Sequence, residues 1–154
     1  MPTLSLQHRI ELVSGPATEP LTLSEVKTQL RVEHNDEDAL IARLIQAAID
    51  YVDVTGTLGK AMITQTWGEW IAPNPGTVTL SLGPIQSVSA IKYYDADNAL
   101  QTDTLSNYHV LGRPGKTIVK PKSGQNWPTV FVRDDAIKIE YVVGYGDTAR
   151  TVPQ

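Results

Sequence analysis

The residue types that do chemistry are all present in this sequence except cysteine, but their spacing is that of turns and helix ends. Gly112-Arg-Pro-Gly115-Lys116-Thr117 ends like a phosphate-binding loop. Such a loop needs a glycine five positions before Gly115 and a helix whose amino terminus holds the phosphate. Val110 stands at that position, and β-prone residues follow, so the segment reads as a β-turn. Gly144-Tyr145-Gly146-Asp147 lacks the third glycine and the helix of a dinucleotide loop, and reads as a turn closing a strand. Asp36-Glu37-Asp38 has neither the alternating oxygens nor the distal glutamate of a calcium loop, and runs instead into a helical apolar pattern. Asp50 and Asp53, three apart, read as a solvated or ion-paired helix end. His8, His34 and His109 are far apart, and there is no Gly-x-Ser-x-Gly elbow. No catalytic, metal or cofactor site is therefore expected. An enzyme without a motif would have to show a concave pocket with convergent titratable groups.

Two features suit contact rather than catalysis. Arg113, Lys116, Lys120 and Lys122 form a basic run with no acid among them. It reads either as a solvated hairpin or as an electrostatic contact for an acidic partner or DNA. The aromatic residues Trp67, Trp70, Tyr93, Tyr94, Trp127, Tyr141 and Tyr145 all fall in the second part of the chain. They could stack on nucleic-acid bases, but a small β core needs large side chains that keep one polar atom satisfied. Core or subunit interface is the expectation, with Trp127-Pro128, in a loop, the best candidate for an exposed contact.

The elements that must carry these residues change character along the chain. Residues 1–20 read as a lead-in arm, with Leu4-Ser5-Leu6 and Ile10-Glu11-Leu12-Val13 able to form an edge strand. Thr22 and Glu25 have capping-box spacing, and Leu23, Val26 and Leu30 share a face, which predicts a short helix ending near Arg31–Val32. A second helix is predicted from Asn35 or Asp36, with acids in its first turn. Its apolar residues, Leu40, Ile41, Leu44, Ile45, Ala48, Ile49 and Val52, recur at i, i+3, i+4 and i+7, and Gly56 suits its carboxyl cap. Beyond Gly59 the period becomes that of strands: Ile63–Trp70, Thr77–Leu82, Val88–Tyr94, Tyr108–Leu111, Thr117–Val119 and Ala136–Val143, separated by turns.

The fold class expected is α+β: an N-terminal two-helix segment, then a β-rich half of about five or six mostly antiparallel strands. One domain is expected over 1–154, divided into an arm (1–20), a helical half (21–58), a β half (59–148) and a tail (149–154). The composition, 41% hydrophobic and 19% charged, is that of an ordinary soluble globular protein. No apolar run reaches membrane-spanning length, and Met1–Ile10 lacks the basic and apolar regions of a signal peptide. The net charge of -4 is uneven. Residues 1–58 carry 4 basic against 9 acidic side chains, and residues 59–154 carry 9 against 8. Net acidity opposes a role in gripping DNA through its phosphates. An acidic helical half beside a basic hairpin permits head-to-tail contact between copies, which gives a ring if the rotation closes.

The order of segments resembles a known family. Pro20-Leu-Thr-Leu-Ser24-Glu25-Val-Lys-Thr-Gln-Leu30-Arg31-Val32 precedes Asp36-Glu37-Asp38-Ala-Leu-Ile41, Ala47-Ala48, Val52 and Thr55-Gly56. Ile63-Thr64-Gln65-Thr66-Trp67, Leu82-Gly-Pro84-Ile-Gln-Ser87-Val88 and Tyr93-Tyr94-Asp95-Ala-Asp97 follow. Trp127-Pro128 and Val143-Gly144-Tyr145-Gly146 then lead to Val152-Pro153. Over residues 18–153 this set is similar to the head–tail connector (adaptor) proteins of tailed bacteriophages and gene transfer agents. The resemblance implies a structural virion component without cofactor, assembled in the bacterial host cytoplasm and placed at the capsid vertex. It would form a ring, commonly of twelve copies, under the portal protein. The ring would extend the DNA channel and dock neck, stopper or tail-completion proteins. The interface residues expected are Arg113, Lys116, Lys120, Lys122, Trp127 and Arg150. Family chains commonly continue past the Val-Pro with a portal-binding helix. This sequence stops at Gln154, so Arg150–Gln154 points only to where that contact would emerge. The alternative reading is a small nucleic-acid-binding module using the Arg113–Lys122 hairpin.

Overall fold

The computed structural model describes residues 9–54, 56–113 and 116–153, Arg113 by its backbone alone. The predicted Leu4-Ser5-Leu6 lies outside them. The first described element is the strand β1 (Arg9–Ser14), in the place where Ile10–Val13 was expected to form an edge strand. Pro16 and Pro20 follow it and prevent its continuation. The two helices, α1 (Leu23–Leu30) and α2 (Asp38–Val52), therefore stand between β1 and β2 (Gln65–Ile71) rather than at the head of the fold. This corrects the expected N-terminal two-helix segment.

α1 begins on the predicted capping box. The Glu25 amide donates to the Thr22 hydroxyl at 3.2 Å, and the Glu25 carboxylate accepts the Thr22 amide at 2.9 Å. It stops where Arg31 turns left-handed (φ 58°) and its N–H closes on the last carbonyls. Lys27 then reaches Asp38 at 2.6 Å and Asn35 at 2.7 Å, which ties α1 to the first turn of α2. α2 starts two residues later than the first acid suggests, so Asp36 and Glu37 precede it. Its carboxyl cap is Asp53 rather than Gly56. Gly56 folds back over the helix end, where a Cβ would lie 2.2 Å from the Tyr51 carbonyl oxygen.

The other strands are β3 (Val78–Leu80), β4 (Ile85–Tyr94), β5 (Leu100–Asp103), β6 (Tyr108–Arg113), β7 (Lys116–Pro121) and β8 (Ile137–Val143). They form a five-stranded sheet, β1-β2-β8-β4-β5, and a three-stranded sheet, β3-β7-β6, antiparallel throughout. The class is α+β as expected, but the described residues hold eight strands, seven of them after the helices, instead of five or six. The additional one is β5, a polar edge strand that shows no apolar alternation. β6 also runs further than expected, taking in Gly112 and Arg113. Pro114 and Gly115 of the expected turn lie outside the described residues.

The core lies where the two sheets face. β8, at the centre of the larger sheet, sends Ile137, Ile139, Tyr141 and Val143 inward, all fully buried. Trp67, Ile71, Val88 and Ile91 flank them, and Val78, Leu80, Tyr108 and Val119 answer from the smaller sheet. Gly144-Tyr145-Gly146 fastens the end of β8 to the chain entering β2. Tyr145 N–H donates to Met62 O at 3.1 Å, and Thr64 N–H donates to Gly146 O at 2.9 Å. A Cβ on Gly144 (φ 126°) would lie 2.7 Å from the Ile63 carbonyl, so this crossing requires glycine.

Candidate assembly surfaces

The basic run sits on the β6–β7 hairpin. Register pairs Arg113 with Lys116, Leu111 with Ile118 and His109 with Lys120, which places these six positions on one face. It is the face away from the core, since Val119 and Tyr108 occupy the other. None of Lys116, Lys120 and Lys122 forms an ion pair or side-chain hydrogen bond among the described residues. Leu111 (43% exposed) lies between the cations, so the surface is mixed basic and apolar. Lys116 and Lys60 also line one cleft of about 550 Å³ with Leu58, Leu82 and Tyr145.

Trp127 is not an exposed contact. It is 8% exposed, lies 5.0 Å from the Tyr108 ring, and donates its indole N–H to the Gly76 carbonyl at 2.8 Å. A tryptophan whose one polar atom is satisfied inside the fold belongs to the core. Arg150 is exposed, on the 3₁₀ turn Ala149–Thr151. It borders an apolar groove of about 420 Å³ whose walls include Leu21, Ala48, Ile49, Val52 and Val152. The structure thus separates Arg150, beside the helices, from the hairpin lysines on the smaller sheet.

Sequence periodicity misses the surface on α2. The seven apolar positions of the helical repeat do not share one buried face: only Ile41 and Ile45 are buried. Leu40 is 49% exposed, Leu44 60% and Tyr51 68%. With Ala47, also exposed, they form a row at i, i+4, i+7 and i+11, alongside the buried row. The signal was present in the width of the pattern. At 3.6 residues per turn, positions 40 to 52 cover an apolar arc of roughly 180°, wider than one-sided packing uses. β1 adds Ile10, Leu12 and Val13, each at least 41% exposed, on an open sheet edge.

The polar groups inside the fold are committed to structure. Glu69, fully buried, accepts from the Ser81 hydroxyl at 2.7 Å, the Ser81 amide at 3.1 Å and the Tyr141 hydroxyl at 2.9 Å. Burial and the neighbouring Glu69 push the Tyr141 phenol well above its ordinary range. Burial and its hydrogen bond to Asp103 do the same for Tyr108. On the outer face of the larger sheet, Glu140 lies between Lys92 (2.9 Å) and Lys138 (3.2 Å). Burial raises its pKa, but the two ammonium groups outweigh that and hold it below the ordinary value. Trp70 stacks on Tyr94 at 5.8 Å, and Arg9, Lys138 and Arg133 cap the two rings. Among the described residues, no three His, Asp or Glu side chains gather as metal ligands. No described helix is long and apolar enough to cross a membrane.

Comparison with known proteins gives this architecture a setting. The fold is similar to a chain in the neck of an empty gene transfer agent particle computed with C6 symmetry. The TM-score is 0.73 at 19% identity, covering 94% of this chain and 75% of that one. A chain of the native gene transfer agent virion matches with TM-score 0.66 and 18% identity, covering 94% and 75%. A chain from the native neck computed with C12 symmetry matches with TM-score 0.63 and 19% identity, covering 93% and 74%. Identity at this level speaks for the fold alone. A search of curated proteins found no match. The model of the phage gp6-like head-tail connector proteins matches residues 20–110, from the approach to α1 through the middle of β6. That is more than half of the sequence, and the chain belongs to the phage gp6-like head-tail connector protein family.

Proposed function

We propose that the chain is a non-enzymatic subunit of a ring in the virion neck. The ring, of about twelve copies, lies under the portal protein, carries the DNA channel onward and offers its far side to stopper or tail-completion proteins. The observation that carries this reading is the family match over residues 20–110. The likeness to neck chains of C6 and C12 particles over nine-tenths of the sequence supports it. The surfaces are those of an assembling part. Leu40, Leu44, Tyr51, Ile10 and Leu12 are 41–68% exposed in the single chain, and burying what remains of each between copies is favourable by about 1 kcal/mol, roughly half the value for a fully exposed side chain. Arg113, Lys116, Lys120 and Lys122 on the hairpin, and Arg150 beside the helical groove, are the partner contacts in this reading. Trp127 is left out because it is buried.

The nucleic-acid-binding alternative has less support. Trp67, Trp70 and Trp127 are each at most 8% exposed and cannot stack on bases, and the net charge is -4. The test is negative-stain imaging of the purified protein with portal-bearing heads. A ring stacked on the portal at one vertex is expected. Heads that retain their genome and join tails normally without this protein would overturn the proposal.

A further inference from the structure

We propose that the exposed apolar row of α2, with the acidic turn ahead of it, is the surface on which a second copy docks, and that this copy presents the outer face of its β6–β7 hairpin. The inference rests on the ring reading above and names the contact that would build the ring. A cyclic ring of more than two copies needs a heterologous interface, in which two different patches of one molecule meet. The α2 row therefore cannot pair with itself and must find another surface on the neighbour. The row, Leu40, Leu44, Ala47 and Tyr51, is apolar, and just before it stand Glu33, Asp36 and Glu37, all exposed. Asp36 is 93% exposed, with a long contact to His34 at 3.8 Å.

Among the described residues, three other apolar surfaces bear on the choice: the groove beside Arg150, which α2 itself lines through Ala48, Ile49 and Val52 and where Glu25 offsets the arginine, the β1 edge and the hairpin face. The β1 edge alternates Arg9 with Glu11 and offers no net charge. The hairpin face sets Leu111 and Ile118 between Lys116 and Lys120, both without ion partners among the described residues. Lys60 stands on the cleft beside Lys116. Of these three, the hairpin matches the α2 surface in both respects, leucine against leucine and lysine against carboxylate. Complementary charge then fixes which patch meets which, while apolar burial supplies most of the affinity.

The sequence has no cysteine, so an introduced thiol is the sole one in each chain. Leu40→Cys and Leu111→Cys are both at exposed positions and should leave the circular dichroism spectrum and melting unchanged. The two full-length variants are mixed, assembled on portal-bearing heads and treated with a short bismaleimide. The expected result is covalent dimers in the mixture and few with either variant alone. Lys116→Glu with Lys120→Glu in the Leu111→Cys chain should lower the yield about tenfold, and Asp36→Lys with Glu37→Lys in the other chain should restore it. Equal crosslinking by Leu40→Cys alone would overturn the proposal in favour of helix-to-helix pairing. Crosslinking of Leu40→Cys to portal protein would overturn it in favour of that partner. Rings that form without any mixed crosslink would sink this interface while leaving the ring intact. Absence of rings on the heads would remove the ring reading itself.

Discussion

At the scale of single residues, the positions that stand out chemically prove to be architectural. Gly144 closes the chain crossing between β8 and β2, at φ 126° with backbone 2.7 Å from where a Cβ would sit. Gly144→Ala should therefore cost about 1–3 kcal/mol from conformation alone, and more from the clash, read as a lowered urea midpoint. The buried phenols make a pH prediction. The pKa values of Tyr141 and Tyr108 are raised in the fold above the ordinary value of 10.0. A group whose pKa is higher folded than unfolded lends stability that is complete below the unfolded value and is lost as pH rises through the folded one. Stability should hold up to pH about 10 and fall steadily above it. Absorbance titration should show these two tyrosines ionising only with unfolding. Tyr141→Phe should flatten that alkaline loss, while costing about 1–3 kcal/mol near neutrality because a donor to the buried Glu69 is gone.

At the scale of elements, neighbouring residues on α2 give opposite expectations. Ile45 is 7% exposed, so Ile45→Asp buries an unpaired charge and should destabilise the fold by about 3 kcal/mol or more. Leu44 is 60% exposed, so Leu44→Asp should change stability by less than about 0.5 kcal/mol and instead abolish assembly. Thermal melts beside sedimentation would separate the two; a Leu44→Asp chain that unfolds would show the row to be core. Sequence periodicity assigned both residues to one face. It reports that a face is apolar, not whether the same chain or another covers it. Where the determinants were local, the reading was sound: the Thr22–Glu25 capping box, the alternation that buries Val78, Leu80 and Leu82, and the run that makes β8 central. Where they were long-range it failed. β5 is held by pairing to β4 and carries no apolar code of its own. β1 does form the edge strand expected over Ile10–Val13, but its partner, β2, lies beyond two helices and could not be read from the local pattern. Trp127 looked exposed because loop position says nothing of the Tyr108 ring that receives it.

At the scale of the whole molecule, the uneven charge has a consequence for DNA. In the proposed ring, a wall that gripped phosphates would add friction to the passage of a genome, whereas a net charge of -4 leaves the duplex without a continuous basic track. The hairpin lysines are then the groups in question, since they serve either DNA or a neighbouring protein. The two uses respond differently to charge reversal. Lys116→Glu with Lys120→Glu should leave the melting temperature within about 2 °C, because neither side chain has an ion partner among the described residues. It should also leave free-duplex binding unchanged, at or weaker than an ordinary non-specific Kd of about 10⁻⁴ M at physiological salt. What should fail is incorporation into heads, measured as protein per portal vertex. Fluorescence anisotropy that finds tight, steeply salt-dependent duplex binding, lost on reversal, would assign the hairpin to DNA. Lost incorporation with no change in duplex affinity would assign it to protein contact, and the acidity of the remaining surface would then be what keeps the passing genome from adhering.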